Sequence, residues 1–156
     1  MADRTLRVRM PLFDRLVDRD LFLRHELVQM RTIDRRGIRE SVRRELEQLF
    51  NTRCPIPEHR LTSDRPRTVI DYGIPDFSTF SARNPNDRGR LAVILRQAIE
   101  VYEPRLANVS VEITSKPGDD FTFIGTIQAD LMVDGVPEAV LFTTALQMKE
   151  GSVEVR

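Results

Sequence analysis

Residues 121–148 hold two runs of alternating apolar and polar character, FTFIGTIQADLMV and VPEAVLFTTALQM, parted only by Asp134-Gly135. Asp-Gly enters the left-handed backbone of a two-residue hairpin turn with little strain, so the pair marks where the chain reverses. Fixing the turn also fixes the register. If Val133 faces Val136, then Leu131 faces Glu138, Ala129 faces Val140, Ile127 faces Phe142 and Phe123 faces Leu146. Apart from Glu138 near the tip, apolar meets apolar on one face. A slip of one residue would turn that whole set toward water.

Two more strands flank this hairpin. Val109, Val111 and Ile113 alternate with Ser110 and Glu112, and the turn KPGDD (116–120) links them to the first hairpin run. SVEVR (152–156) reads as a short edge strand. The apolar face of such a sheet needs a cover, and the upstream sequence supplies helices. In IRESVRRELEQLF (38–50), Ile38, Val42, Leu46, Leu49 and Phe50 recur at helical spacing. Glu40 stands three and four residues before Arg43 and Arg44, the spacing of weak surface pairs. Asn51 fits a left-handed cap, and Pro55 and Pro57 prevent continuation. A second helix starts at Asn84-Pro85 or Asp87. Its apolar face is Leu91, Ile94, Leu95, Ala98, Val101 and Tyr102, and Pro104 ends it. Between the helices, residues 52–84 form an ordered loop in which Val69, Ile70, Tyr72, Ile74, Phe77 and Phe80 require burial and Gly73 permits an unusual backbone angle. Nearer the N-terminus, PLFDRLVDRDLFL (11–23) carries the stripe Leu12, Phe13, Leu16 and Val17. It packs either on its own domain or on a partner. The expected architecture is α+β: N-terminal helices followed by an antiparallel meander and hairpin sheet, in a single compact domain.

Composition narrows the function classes. The single Cys54 excludes an internal disulfide and suits a reducing compartment. No run of about 18 apolar residues offers a membrane span, and the charged N-terminus lacks the apolar core of a secretory signal. The expected location is the cytoplasm. Residues 1–60 carry 14 basic and 10 acidic side chains, and residues 91–156 carry 5 and 10. That polarity suits docking between differently charged neighbours, or else two solvated faces. Arginine outnumbers lysine 22 to 2, which favours planar contacts with carboxylates if it does not reflect base composition.

Catalytic readings find little material. His25 and His59 are the only histidines, so nucleophilic triads and metal sites have few ligands to use. No metal or cofactor is expected. Gly73, Gly89, Gly118 and Gly125 are isolated and form no phosphate cradle. A glycosidase needs two carboxylates bracketing a sugar. Glu100 and Glu103 lie on one helix and cannot bracket one easily, Asp119 and Asp120 lie in a turn, and with no tryptophan and only two tyrosines a sugar platform is hard to assemble. Nucleic-acid binding would need a stronger basic patch with interleaved aromatics.

One junction stands apart. Glu103-Pro104-Arg105 closes the second helix just before the first long strand. It can be a helix stop with a surface ion pair worth ~0–1 kcal/mol. It can also be a rigid corner from which Glu103 and Arg105 project to orient a partner.

PLFDRL, SVRRELEQLFNTR, DYGIPDFS and AIEVYEPRLANVSVEI, spread over roughly residues 11–148, together resemble the TssE family of type VI secretion baseplate subunits. That family is similar to the wedge protein of contractile phage baseplates that initiates the tail sheath. LFNTR and YEPRL are the most specific parts of the resemblance, and Cys54-Pro55 departs from the basic or glycine-containing continuation expected after LFNTR. The resemblance implies a non-catalytic part, although the family once carried a lysozyme-like label and a small peptidoglycan hydrolase is the alternative. Residues 1–35 would be an N-terminal extension, with Leu12, Phe13 and Leu16 as docking residues, and residues 36–156 the wedge-like domain. Glu103, Pro104 and Arg105 would contact the helical bundle of the wedge subunits TssF and TssG, with TssK in the same assembly. The strand Ser152, Val153, Glu154 and Val155 would template the sheath proteins TssB and TssC. The baseplate would sit in the cytoplasm, docked at the inner membrane complex.

Overall fold

The computed structural model describes residues 8–9, 32–61, 66–116, 118–119, 121–147 and 153–155. Short strands β1 (Val8–Arg9) and β2 (Thr32–Ile33) pair antiparallel and lead into helix α1 (Arg35–Asn51). Helix α2 (Pro85–Tyr102) precedes β3 (Leu106–Ser115), β4 (Thr122–Val133), β5 (Val136–Gln147) and β6 (Val153–Val155). The last four strands form one antiparallel sheet in the order β3-β4-β5-β6. The chain is therefore α+β, with helices first and the meander after. Among the described residues, no helix is long and apolar enough to cross a membrane.

The hairpin register is the one the alternation requires. Val133 faces Val136, Leu131 faces Glu138, Ala129 faces Val140, Ile127 faces Phe142 and Phe123 faces Leu146. Asp134 at φ 50° and Gly135 at φ 79° make the turn. One face of the sheet supplies Leu106, Ile113, Phe123, Ile127, Leu131, Phe142 and Leu146 to the core. The helices close that face with Ile38, Val42, Leu46, Leu49 and Phe50 from α1, and Leu91, Ile94, Leu95, Ala98 and Ile99 from α2. The opposite face, carrying Ser110, Glu112, Gln128, Leu141 and Thr143, is exposed.

The helix ends depart from the expectations in two places. α1 begins three residues earlier than its apolar stripe because the Asp34 side chain accepts from Gly37 N at 2.8 Å and caps the first turn. Asn51 is not a left-handed cap but the last helical residue, followed by Thr52 in extended backbone at φ −96°. On α2, Ile99 takes the core position and Val101 stays 45% exposed, because the helix presents 91, 94, 95, 98 and 99 to the sheet.

Candidate functional site

Pro104 keeps Glu103 out of the helical region, and Glu103 takes φ −123°, ψ 73°. That bend turns its side chain inward, where the residue is 3% exposed. The Arg105 guanidinium folds back over it. Arg105 Nε donates to Glu103 Oε1 at 2.6 Å, Nη2 donates to Oε2 at 2.5 Å, and Nη1 donates to Ser41 Oγ on α1 at 3.0 Å. The fork-to-fork geometry is the strongest form of this pair. The Arg105 carbonyl accepts from Met132 N at 2.9 Å. One motif therefore ties α1, the end of α2, the start of β3 and the end of β4.

This corrects the picture of two charges projecting from the corner. Glu103 does not project, because a buried carboxylate must be paired and the partner two residues on supplies the pairing. What faces outward is Pro104, which is exposed, and the quarter of the Arg105 side chain left accessible.

LFNTR and DYGIPDFS meet in space. Arg53 and Ile74 form a parallel bridge, with Ile74 N donating to Thr52 O at 2.8 Å and Cys54 N to Ile74 O at 2.9 Å. Gly73, at φ 107°, allows the approach. A Cβ there would stand 2.3 Å from the Thr52 carbonyl oxygen. Cys54 is buried beside this seam. The loop also overturns one burial expectation: Val69 and Ile70 are 89% and 73% exposed. Asp71 takes the inward position instead, accepting from Thr68 N at 2.8 Å, and Tyr102 Oη donates to Thr68 O at 2.9 Å. The turn is held by its polar residues, so the two apolar ones between them face water.

At the far side of the sheet, β6 is more tightly held than an edge strand read from sequence. Val153 N donates to Asn51 Oδ1 at 2.7 Å, and Asn51 Nδ2 donates to Val153 O at 2.7 Å. Arg43 Nη1 donates to Val155 O at 2.8 Å while the same side chain pairs with Glu40 and Glu47. The bonds to Glu40 hold its carboxyl below the usual range. The N–H and C=O of Val153 and the C=O of Val155 are thus taken by α1, so the strand expected to template a partner is not an open edge at these groups. Arg43 and Asn51 escape sequence reasoning because their partners lie 112 and 102 residues away. Val153 and Val155 are 6% and 1% exposed, so β6 is also core. Removing residues 151–156 is expected to lower unfolding free energy by about 3 kcal/mol, the burial of two valines. A urea titration checks this, and an unchanged midpoint would mean that β6 adds nothing to the fold. Leu12, Phe13, Leu16 and Ser152, and the side chain of Glu154, lie outside the described residues.

Glu100 and Glu103 do not form a pair of free carboxylates. Glu100 is exposed while the Glu103 carboxylate is committed to Arg105. Asp119 accepts from Phe121 N at 2.9 Å and Thr122 Oγ1 at 2.6 Å, and Asp120 lies outside the described residues.

An antiparallel sheet with one helix-covered face, a pinned corner and an edge strand tied to α1 make a small α+β module. The sequence profile of the baseplate wedge protein gp25 family matches residues 36–135, from α1 to the hairpin turn. The chain belongs to that family. No curated protein matches it. Among solved structures it is similar to a chain of "The baseplate complex from the type VI secretion system", at 21% identity and a TM-score of 0.51. The match covers 72% of this chain and 96% of that one, and it speaks to the fold.

Proposed function

We propose that the protein is a non-catalytic structural subunit of a type VI secretion baseplate. It docks on the wedge subunits TssF and TssG, with TssK in the same assembly, and nucleates the sheath proteins TssB and TssC through a sheet edge. The observation that carries this reading is the baseplate wedge family match running unbroken from α1 to the hairpin turn. The likeness in fold to a chain of a type VI baseplate complex supports the choice of machine. The corner 103–105 suits the wedge contact because its backbone and its arginine are already fixed before a partner arrives, so little ordering entropy opposes docking. Leu12, Phe13 and Leu16 supply a second, N-terminal contact. Assembly takes place in the cytoplasm, at the inner membrane complex.

Co-expression with tagged TssF and TssG tests the reading. The chain is expected to co-purify with the pair and to leave cell-wall suspensions turbid. Clearing of the cell walls, with no co-purification, would favour a hydrolase and overturn it.

A further inference from the structure

LFNTR and DYGIPDFS take no part in the corner or in a sheet edge, yet where they meet they enclose a cavity of about 120 Å³. Phe50, Ile74, Pro75 and Phe77 give it apolar walls, and Gln147 and Val153 line it from the sheet side. The walls are fixed. Phe50 and Ile74 are buried, Ile74 is bonded through both N–H and C=O to the chain leaving α1, and the Phe77 ring stands edge-on to Phe123 at 6.3 Å. The polar groups at the rim lean toward one sign of charge. α1 ends here with no basic residue in its last turn, so the negative end of its peptide dipoles has no counter-charge from within the helix. Asp76 adds a half-exposed carboxylate, and the bond it accepts from Ser78 N at 3.0 Å holds it below the usual carboxylate range. Among the described residues Arg53 is the one cation lining the cavity, and it is weakly committed. Its guanidinium lies 3.5 Å from Asp76 with 70% of the side chain exposed, the kind of pair worth ~0–1 kcal/mol.

We propose that this cavity is a receptor for a single basic side chain, a lysine or arginine, carried by a partner chain. The aliphatic stem lies between Phe50, Ile74 and Phe77, and the charged head reaches Asp76 and the end of α1 while Arg53 swings out to water. Charge fixes the choice of occupant. A carboxylate would face both Asp76 and the negative helix end, and an apolar side chain would cover Asp76 without supplying a counter-charge. Size fixes the number. The space admits one side chain and not a helix, which is about 10 Å across. Because the walls are held before anything enters, little ordering entropy opposes the docking. The site is separate from the corner. Arg105 reaches α1 at Ser41 and the cavity meets it at Asn51, about 15 Å further along the helix, so the two contacts stand or fall independently.

Titration of the full chain with n-butylammonium, followed by amide NMR, tests the site. Shifts should saturate at Ile74, Asp76, Phe77, Ser78 and Gln147, with a Kd of about 1–10 mM for so small a probe. Asp76→Asn should weaken binding roughly tenfold, and Arg53→Gln, which removes the competing cation, should tighten it roughly threefold. 1-Butanol and butyrate, which lack the positive head, should bind roughly tenfold more weakly or worse. Equal binding of butanol, tighter binding of butyrate, or shifts that Asp76→Asn leaves unchanged would overturn the cation site. The partner is tested in the cells that make the protein, with Ser78→p-benzoylphenylalanine as a photoreactive probe at the rim. The expected result is a crosslink beside a lysine or arginine of another chain, lost when Asp76→Asn is added. No crosslink, or one confined to residues 148–152 of the same chain, which include Lys149 and join Gln147 to Val153, would overturn the partner.

Discussion

Arg105→Ala is expected to destabilise the protein by about 3 kcal/mol, because it leaves the buried Glu103 carboxylate without its counter-charge and removes the bond from Arg105 to Ser41. For a domain of this size that is a fall in melting temperature of roughly 6–12 °C. The asymmetry of the pair sharpens the expectation. Glu103 is 4% exposed in its side chain and Arg105 25%, so the arginine can regain water when its partner is lost and the glutamate cannot. Glu103→Gln should accordingly cost less than Arg105→Ala, and replacing both by apolar residues of similar volume should recover part of the loss. Urea unfolding of the single and double variants reads this directly. A loss below about 1 kcal/mol for Arg105→Ala would put the pair in the class of surface bridges and remove the staple from the account.

Gly73→Ala is expected to have an effect of similar or larger size. The alanine would have to hold φ 107°, a strain of about 1–3 kcal/mol. Its Cβ would also meet the Thr52 carbonyl oxygen at 2.3 Å. Relief requires the seam to open, giving up the bonds between Ile74 and Thr52 and between Cys54 and Ile74, at about 1 kcal/mol each. Gly135→Ala provides the control. Gly135 also has positive φ, at 79°, but nothing within 4 Å of the added atom, so its loss isolates the dihedral strain. Thermal unfolding should rank Gly73→Ala well below Gly135→Ala. Equal losses would mean that close approach at the seam contributes nothing.

The two cases mark what a sequence can disclose here. The hairpin register was legible because a two-residue turn and a period of two leave one pairing that keeps both apolar sets on the same side. The α1 stripe was legible for the matching reason at helical period. The corner was legible as a place but not as a geometry. Spacing shows that an acid, a proline and a base are adjacent, but not that the acid points inward, which depends on Ser41 arriving from a helix 64 residues away. The same limit applies at β6, where the decisive partners Arg43 and Asn51 belong to α1. Val69 and Ile70 misled for another reason. Their hydrophobicity argued for burial, while the polar capping of the turn by Thr68 and Asp71 decided which side of it faced the core.

The staple also changes how docking at the corner must be examined. Variants of Glu103 or Arg105 alter the fold of the corner, so lost binding in them says nothing about contact. Pro104 is exposed and its side chain joins none of the staple's bonds. The most direct measurement is co-purification of Pro104→Glu with TssF and TssG, beside the wild type and at matched melting temperature. The folded variant is expected to drop off the wedge pair while the wild type stays bound. A Pro104→Glu protein that binds as well as wild type would contradict the corner as the docking surface.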